Sequence, residues 1–213
     1  MEINHDPKTL IYVMDPMCSW CWGFSPVLEK LMRQYQERIS FQLMVGGLRP
    51  GNTERFDDSR RGYILQHWHA VQERTGQPFN FNFQMGPTFT YDTEPASRAI
   101  VVVRQLSPGQ EWTLLKEIQA AFYVNNVDVT KLEVLEDLVV KLGMDLPLFR
   151  QGFQDSQTRQ AVWEEFGQAR EMGVSGFPAL LGQQGQVVST FIYGYQDAAT
   201  LCPLIDEFLE KVA

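Results

Sequence analysis

Thr9-Leu10-Ile11-Tyr12-Val13-Met14-Asp15-Pro16-Met17-Cys18-Ser19-Trp20-Cys21 is the stretch from which the rest of the chain can be read. A short β-prone apolar run is closed by Asp15-Pro16, a turn dipeptide, and a Cys-x-x-Cys follows at once. Beyond it Val27, Leu28, Leu31, Met32 and Tyr35 recur at three- and four-residue intervals, with Glu29, Lys30, Arg33, Gln34 and Glu37 between them, the pattern of an amphipathic helix. The cysteine pair therefore sits between a strand and the start of a helix. Ile39, Phe41, Leu43 and Val45 then alternate with Ser40, Gln42 and Met44 up to Gly46-Gly47, which predicts a second strand and a β-α-β opening.

The middle of the chain reads as helices at about 58–75, 94–106, 108–124 and 131–142, with no element assigned between Gly143 and about 156. Ser107 with Gln110 and Thr130 with Glu133 have capping-box spacing. Phe79-Asn80-Phe81-Asn82-Phe83 alternates as a short strand would, but an ordered loop fits equally, and with Phe89 and Tyr91 these rings suit a core patch better than a groove. A helix over about 156–171 leads to Gly173-Val174-Ser175-Gly176-Phe177-Pro178. Strands Ala179–Leu181 and Val187–Tyr193 then flank Gly182-Gln183-Gln184-Gly185 as a hairpin, and Leu204, Ile205, Phe208 and Leu209 mark a closing helix.

The 213 residues carry 18 Lys+Arg against 26 Asp+Glu, a formal charge of −8, which gives no attraction to nucleic-acid phosphates or anionic membranes. The apolar run Ala99–Val103 is far short of the ~20 residues of a membrane span. Met1–Lys8 lacks the basic and apolar regions of a secretory signal, so a cytoplasmic location is expected. Three cysteines cannot build a secreted disulfide framework, so an active pair in a reducing compartment is either redox-active or metal-binding.

At a helix N-terminus the first thiol meets unpaired backbone N–H groups and the positive end of the helix dipole, both of which favour thiolate. That makes Cys18 an exposed nucleophile and Cys21, one turn on, the thiol able to close a disulfide beneath it. The same spacing fits half of a zinc site, but the available partners are poor: His67 and His69 fall on different faces of a predicted helix, and Cys202 stands alone. No metal is expected. Pro26 falls inside the active-site helix, and Phe177-Pro178 between a helix end and a strand fits a cis peptide, although trans is the ordinary state of such bonds. Cys202 reads as a small buried hydrophobe.

Taken together, the strand, Cys18-x-x-Cys21, the proline-bearing helix, the helical block, Val174-Ser175-Gly176-Phe177-Pro178, the hairpin and the last helix resemble the DsbA-like branch of the thioredoxin superfamily over nearly the whole chain. Asp15-Pro16-Met17-Cys18-Ser19-Trp20-Cys21-Trp22 and Gly46-Gly47-Leu48-Arg49-Pro50-Gly51 are similar to its FrnE-like, predicted cytoplasmic protein-disulfide-isomerase group, as is Asp128-Val129-Thr130. The resemblance implies an α/β thioredoxin fold, β-α-β then α-β-β-α, at 1–48 and 156–213, with an all-helical insertion domain at 49–155. It implies a nucleophile at Cys18, a resolving thiol at Cys21 and a cis bond before Pro178, with Phe177 offering backbone groups to an extended substrate.

Trp20 and Trp22 are candidate substrate contacts, or packing between core and helical block. Ser19-Trp20 brings no charge between the cysteines, so the disulfide should be less oxidising than that of DsbA. Tyr12 stands where related proteins keep a buried carboxylate, and Asp15 is either its substitute or a turn or cap residue. The function expected is thiol-disulfide exchange with protein or small-molecule partners and an unidentified reductant, needing no cofactor beyond the dithiol. The alternatives are a glutathione-dependent transferase or hydroxychromene-carboxylate isomerase, whose relatives usually carry Ser at position 18, and a chaperone or binding module without catalysis.

Overall fold

The computed structural model describes residues 8–211, so the reading of the N-terminal tail lies outside it. Four strands, β1 (Lys8–Met14), β2 (Ser40–Val45), β3 (Ala179–Gln184) and β4 (Val187–Tyr193), form one sheet in the order β2-β1-β3-β4. β1 runs parallel to β2, with Tyr12 opposite Leu43, and antiparallel to β3, with Tyr12 opposite Leu180. A strand central to a sheet covered on both faces must be apolar at every position, which is why Leu10–Met14 lacks polar alternation. Leu10, Tyr12 and Met14 enter the main core, while Ile11 and Val13 join Met44, Ala169, Val174, Ala179 and Leu181 on the other face.

The parallel β1–β2 pair is bridged by α1 (Ser19–Tyr35), whose Cys21, Phe24, Leu28, Leu31 and Tyr35 make the buried stripe, with Pro26 inside the helix. Five helices follow β2: α2 (Asp58–Thr75), α3 (Glu94–Leu106), α4 (Gln110–Tyr123), α5 (Leu132–Lys141) and α6 (Leu146–Gln154). Then α7 (Ser156–Glu171) returns the chain to β3, and α8 (Ala198–Glu210) closes it. Residues Ala99–Val103 are buried without a break, so the β-branched run that disfavours a helix in isolation is held helical by packing on every side. Among the described residues no helix is long and apolar enough to cross a membrane.

The open edge of β2 is closed by side chains. Val45 N–H donates to Glu165 Oε1 at 2.7 Å, the Leu43 carbonyl accepts from Arg104 Nη1 at 2.7 Å, and Arg104 pairs with Glu165. This fastens α3 and α7 to the strand edge and removes a template for pairing with another chain.

Several local expectations are revised. α6 has no counterpart in the sequence reading: Asp145 caps it by accepting from Leu148 N–H at 2.9 Å, and Pro147, which resembles a breaker, sits in the first turn, where no N–H is required. Neither capping box forms. Gly109, at φ 96°, precedes α4, and the Thr130 hydroxyl turns back to Asp128. Phe79–Phe83 is a loop, because its backbone finds partners outside any ladder: Asn80 N–H donates to the Tyr123 carbonyl and Asn82 N–H to Asn80 Oδ1. Its rings pack inward, with Phe83 at 4.6 Å from Trp68 and 5.4 Å from Phe122.

β3 runs on through Gly182 to Gln184, shortening the hairpin turn. A side chain at Gly182 would meet the Phe191 ring at 2.7 Å, so the glycine serves ring packing rather than the turn. Cys202 is only half-buried, its thiol 3.5 Å from Gln34 Oε1 on the outer side of α8.

Candidate active site

β1 ends at Met14, and a turn closed by Cys18 N–H on the Asp15 carbonyl, at 3.1 Å, delivers Cys18 as the N-cap of α1. No side chain caps this helix; the Cys21 and Trp22 N–H groups turn back to the Cys18 carbonyl at 3.0 and 3.1 Å, and the Ser19 and Trp20 N–H groups are left at the positive end of the helix dipole. Contrary to the exposed thiol expected, Cys18 is only 6% exposed. The cause is the loop before β3: the Phe177 carbonyl lies 3.8 Å from Cys18 Sγ, and the Phe177–Pro178 bond is cis. Pro178 is buried and its carbonyl accepts from Gly194 N–H at 2.7 Å, tying this loop to the end of β4.

Cys21 is completely buried. Burial pushes its thiol well above the ordinary value, and the neighbouring Cys18 pushes it further in the same direction. Tyr12, also buried, is raised first by burial and then by the two cysteines, so a neutral phenol stands beside the protonated Cys21 thiol. Both cysteines are free thiols here. Two thiols in such unequal settings can act in sequence: Cys18 at the head of the helix under the Phe177 carbonyl, and Cys21, fully buried, kept protonated until a disulfide forms above it.

Asp15 does not cap α1. Its Oδ1 accepts from Met17 N–H at 2.8 Å and its Oδ2 from Leu48 N–H at 2.6 Å, joining the cysteine turn to the segment after β2. Burial raises its pKa to about 6, a rise that the bonds to Leu48, Thr93 and Met17 only partly oppose. An unfolded aspartate titrates near ~3.9, so between about pH 4 and 6 the native state holds a proton that the unfolded chain has released. Stability should therefore fall by roughly 3 kcal/mol as pH rises through that window. Asp15→Asn should flatten this fall when urea midpoints are compared at pH 4, 5, 6 and 7. A pH profile parallel to that of the unsubstituted protein would mean Asp15 titrates as an ordinary carboxylate.

Gly46-Gly47 leads from β2 under the active loop. A Cβ on Gly46 would stand 2.0 Å from Phe177 Cε1, and one on Gly47, at φ +71°, would meet the Phe166 ring at 2.8 Å. Gly46→Ala should push the Phe177 ring out and shift the carbonyl that faces Cys18. The expected result is about a tenfold change in the rate at which Cys18 reacts with a disulfide reagent, with a loss of about 1–3 kcal/mol in stability by denaturant titration. An unchanged rate would show that the seating of Phe177 is immaterial.

Trp20 borders a groove of about 290 Å³ together with Arg74, Phe177, Gly194 and Tyr195. Trp22 points elsewhere: its indole N–H donates to the Pro78 carbonyl at 3.0 Å and its ring stacks on Tyr123 at 6.2 Å, in the seam with the helical block. Ser19 is half-buried in the first turn. The structure thus gathers Tyr12, Asp15, Cys18, Cys21, Trp20, Phe177 and Pro178 and sends Trp22 away. Tyr91, whose hydroxyl donates to the Met17 carbonyl at 2.6 Å, Thr93 and Arg74 were not singled out for the site from sequence, since nothing local distinguishes them from core or surface positions.

A model of the DSBA-like thioredoxin domain matches residues 9–205. The chain belongs to that family. Among solved structures, this DSBA-like protein is similar to a candidate protein disulfide isomerase from Nitrosomonas europaea, at 36% identity and TM-score 0.91, over 98% of this chain and 100% of the other. It shares its fold with the cytosolic disulfide reductase DsbM from Pseudomonas aeruginosa, at 23% identity and TM-score 0.78, over 94% and 98% of the two chains. A curated relative, the ClpXP adapter protein SpxH of Halalkalibacterium halodurans, is 25% identical over 179 residues, 82% of this chain but 58% of the relative. The chain thus spans about three fifths of the length of the curated relatives it matches. The family is one of DsbA-like thiol-disulfide oxidoreductases.

Proposed function

We propose that the protein is a cytoplasmic thiol-disulfide oxidoreductase working through Cys18 and Cys21. The observation that carries this reading is the unequal pair: Cys18 at the head of α1 with the Phe177 carbonyl 3.8 Å from its sulfur, and Cys21 buried beneath it with its thiol held protonated. The Cys18 thiolate attacks one sulfur of a substrate disulfide, forming a mixed disulfide and releasing the other sulfur as a thiolate, which takes up a proton. Cys21 then loses its proton and attacks Cys18 Sγ, closing the Cys18–Cys21 disulfide and releasing the second substrate thiolate. The substrate gains two electrons and the enzyme dithiol loses two. A thiol reductant, small or protein-borne, returns them, and under oxidising conditions the sequence runs backwards. No cofactor beyond the dithiol takes part.

The neighbour named as a cytosolic disulfide reductase supports the location. A glutathione-dependent transferase or hydroxychromene-carboxylate isomerase reading leaves the second free thiol at Cys21 without a use. The test is insulin reduction by dithiothreitol with a free-thiol count on the denatured protein. Rising turnover, with three thiols in the reduced protein and one after oxidation, supports the reading. No acceleration, or three thiols in both states, refutes it.

The relatives named as ClpXP adapters favour a second reading, a binding module independent of redox chemistry. It predicts that the binding partners of a Cys18→Ser, Cys21→Ser protein are the same as those of the unsubstituted chain.

A further inference from the structure

The groove beside Cys18 is not uniformly apolar. Trp20, Phe177 and Tyr195 form its walls, and Trp20 and Tyr195 lie 6.1 Å apart by ring centre. Phe177 is also the residue whose carbonyl faces the Cys18 sulfur, so the groove and the cover of Cys18 share one residue. At its rim stands Arg74, near the end of α2, its guanidinium 5.2 Å from the centre of the Tyr195 ring.

Arg74 forms no salt bridge among the described residues. Asp197 is close enough to feel its charge, but Asp197 Oδ1 already accepts from the Thr200 N–H and hydroxyl, each at 2.9 Å, as the cap of α8. The stacking on Tyr195 holds the guanidinium over the groove and leaves its N–H edge free for a planar anion. In a chain with a formal charge of −8, an uncommitted cation on the groove that Phe177 shares with Cys18 is a selective feature.

Resting on the oxidoreductase reading above, we propose that this groove selects polypeptide disulfides with an acidic residue beside the cysteine, Arg74 binding the carboxylate while the aromatic walls take the adjoining side chain. Arg74 is a specificity residue and takes no part in electron transfer. An exposed ion pair of this kind is worth about two- to fivefold in rate and weakens in salt.

The experiment uses the full chain with Cys21→Ala, so that Cys18 stops at the mixed disulfide, followed by intact mass. The probes are symmetric disulfides of blocked peptides that differ only in having Glu, Gln or Lys next to cysteine. Because any accessible thiol reacts with a disulfide, the ratios are readable even if the native protein turns nothing over, which separates this proposal from the one beneath it. The expected order is Glu above Gln above Lys, with Glu over Gln about two- to fivefold and shrinking toward one at 0.5 M NaCl. Arg74→Gln should bring the Glu-to-Gln ratio near one, and Arg74→Glu should put Lys first. Equal rates for the three peptides, or an order untouched by both substitutions, would overturn the proposal. So would a preference for glutathione disulfide over its neutral ester with none among the peptides, because the carboxylate selected would then belong to a small molecule.

Discussion

Cys18→Ser is expected to lower disulfide turnover by at least about a thousandfold, the scale on which loss of a covalent nucleophile acts. Serine keeps the size and the place at the head of α1, but its hydroxyl does not ionise near neutral pH and forms no disulfide. Cys21 cannot take over: it is fully buried, and burial holds its thiol well above the ordinary value. Cys202 lies outside the site, its thiol 3.5 Å from Gln34 Oε1. Cys21→Ser should differ in kind, since mixed disulfides would form on Cys18 and persist. Insulin reduction and intact mass after exposure to a disulfide reagent would show both behaviours. Turnover within tenfold of the unsubstituted protein in Cys18→Ser, or adducts on Cys202 before Cys18, would defeat the assignment.

The largest effect on stability is expected at Arg98. Its Nε and Nη2 donate to the two oxygens of Glu94, at 2.8 and 2.6 Å, and its Nη1 donates to the Phe153 carbonyl at 2.9 Å. The guanidinium also lies 4.3 Å from the Phe153 ring centre, so this one residue joins α3 to the end of α6. Glu94 and Arg98 are both buried. Arg98→Ala leaves the Glu94 carboxylate desolvated without its partner and the Phe153 carbonyl without a donor, and should cost about 3–5 kcal/mol. Glu94→Gln with Arg98→Met removes the charges together and should recover a good part of that loss. Urea titrations of the single and double variants would decide it, and a single-variant loss below about 1 kcal/mol would show that the pair is solvated in solution.

Elements with a period in the chain were legible because packing follows that period. The all-apolar run of β1, the three- and four-residue stripe of α1 and the bounds of α2, α3 and α7 follow from which side chains must leave water. α6 escaped notice because its apolar pair, Phe149 and Phe153, is too short a signal and Pro147 suggests a break. The alternating Phe79–Phe83 fits strand and loop equally in sequence, since alternation cannot reveal that the backbone bonds to Tyr123 at the end of α4 rather than to a neighbouring strand.

For the candidate site, the chain alone determined the chemistry at hand: two thiols one helical turn apart behind a strand, with an acidic protein around them. Only the tertiary structure decided how deeply each thiol is buried and what faces it. It buries Cys21 beside Tyr12, roofs Cys18 with Phe177, holds that roof against the bare backbone of Gly46, and sets Arg74 over Tyr195 beside the groove. Apart from Tyr12 and Cys21, these partners lie more than a hundred positions apart in the chain, and their effects depend on burial and on contacts between groups from different elements. Local spacing records neither, because desolvation and electrostatic coupling are set by what surrounds a group in space.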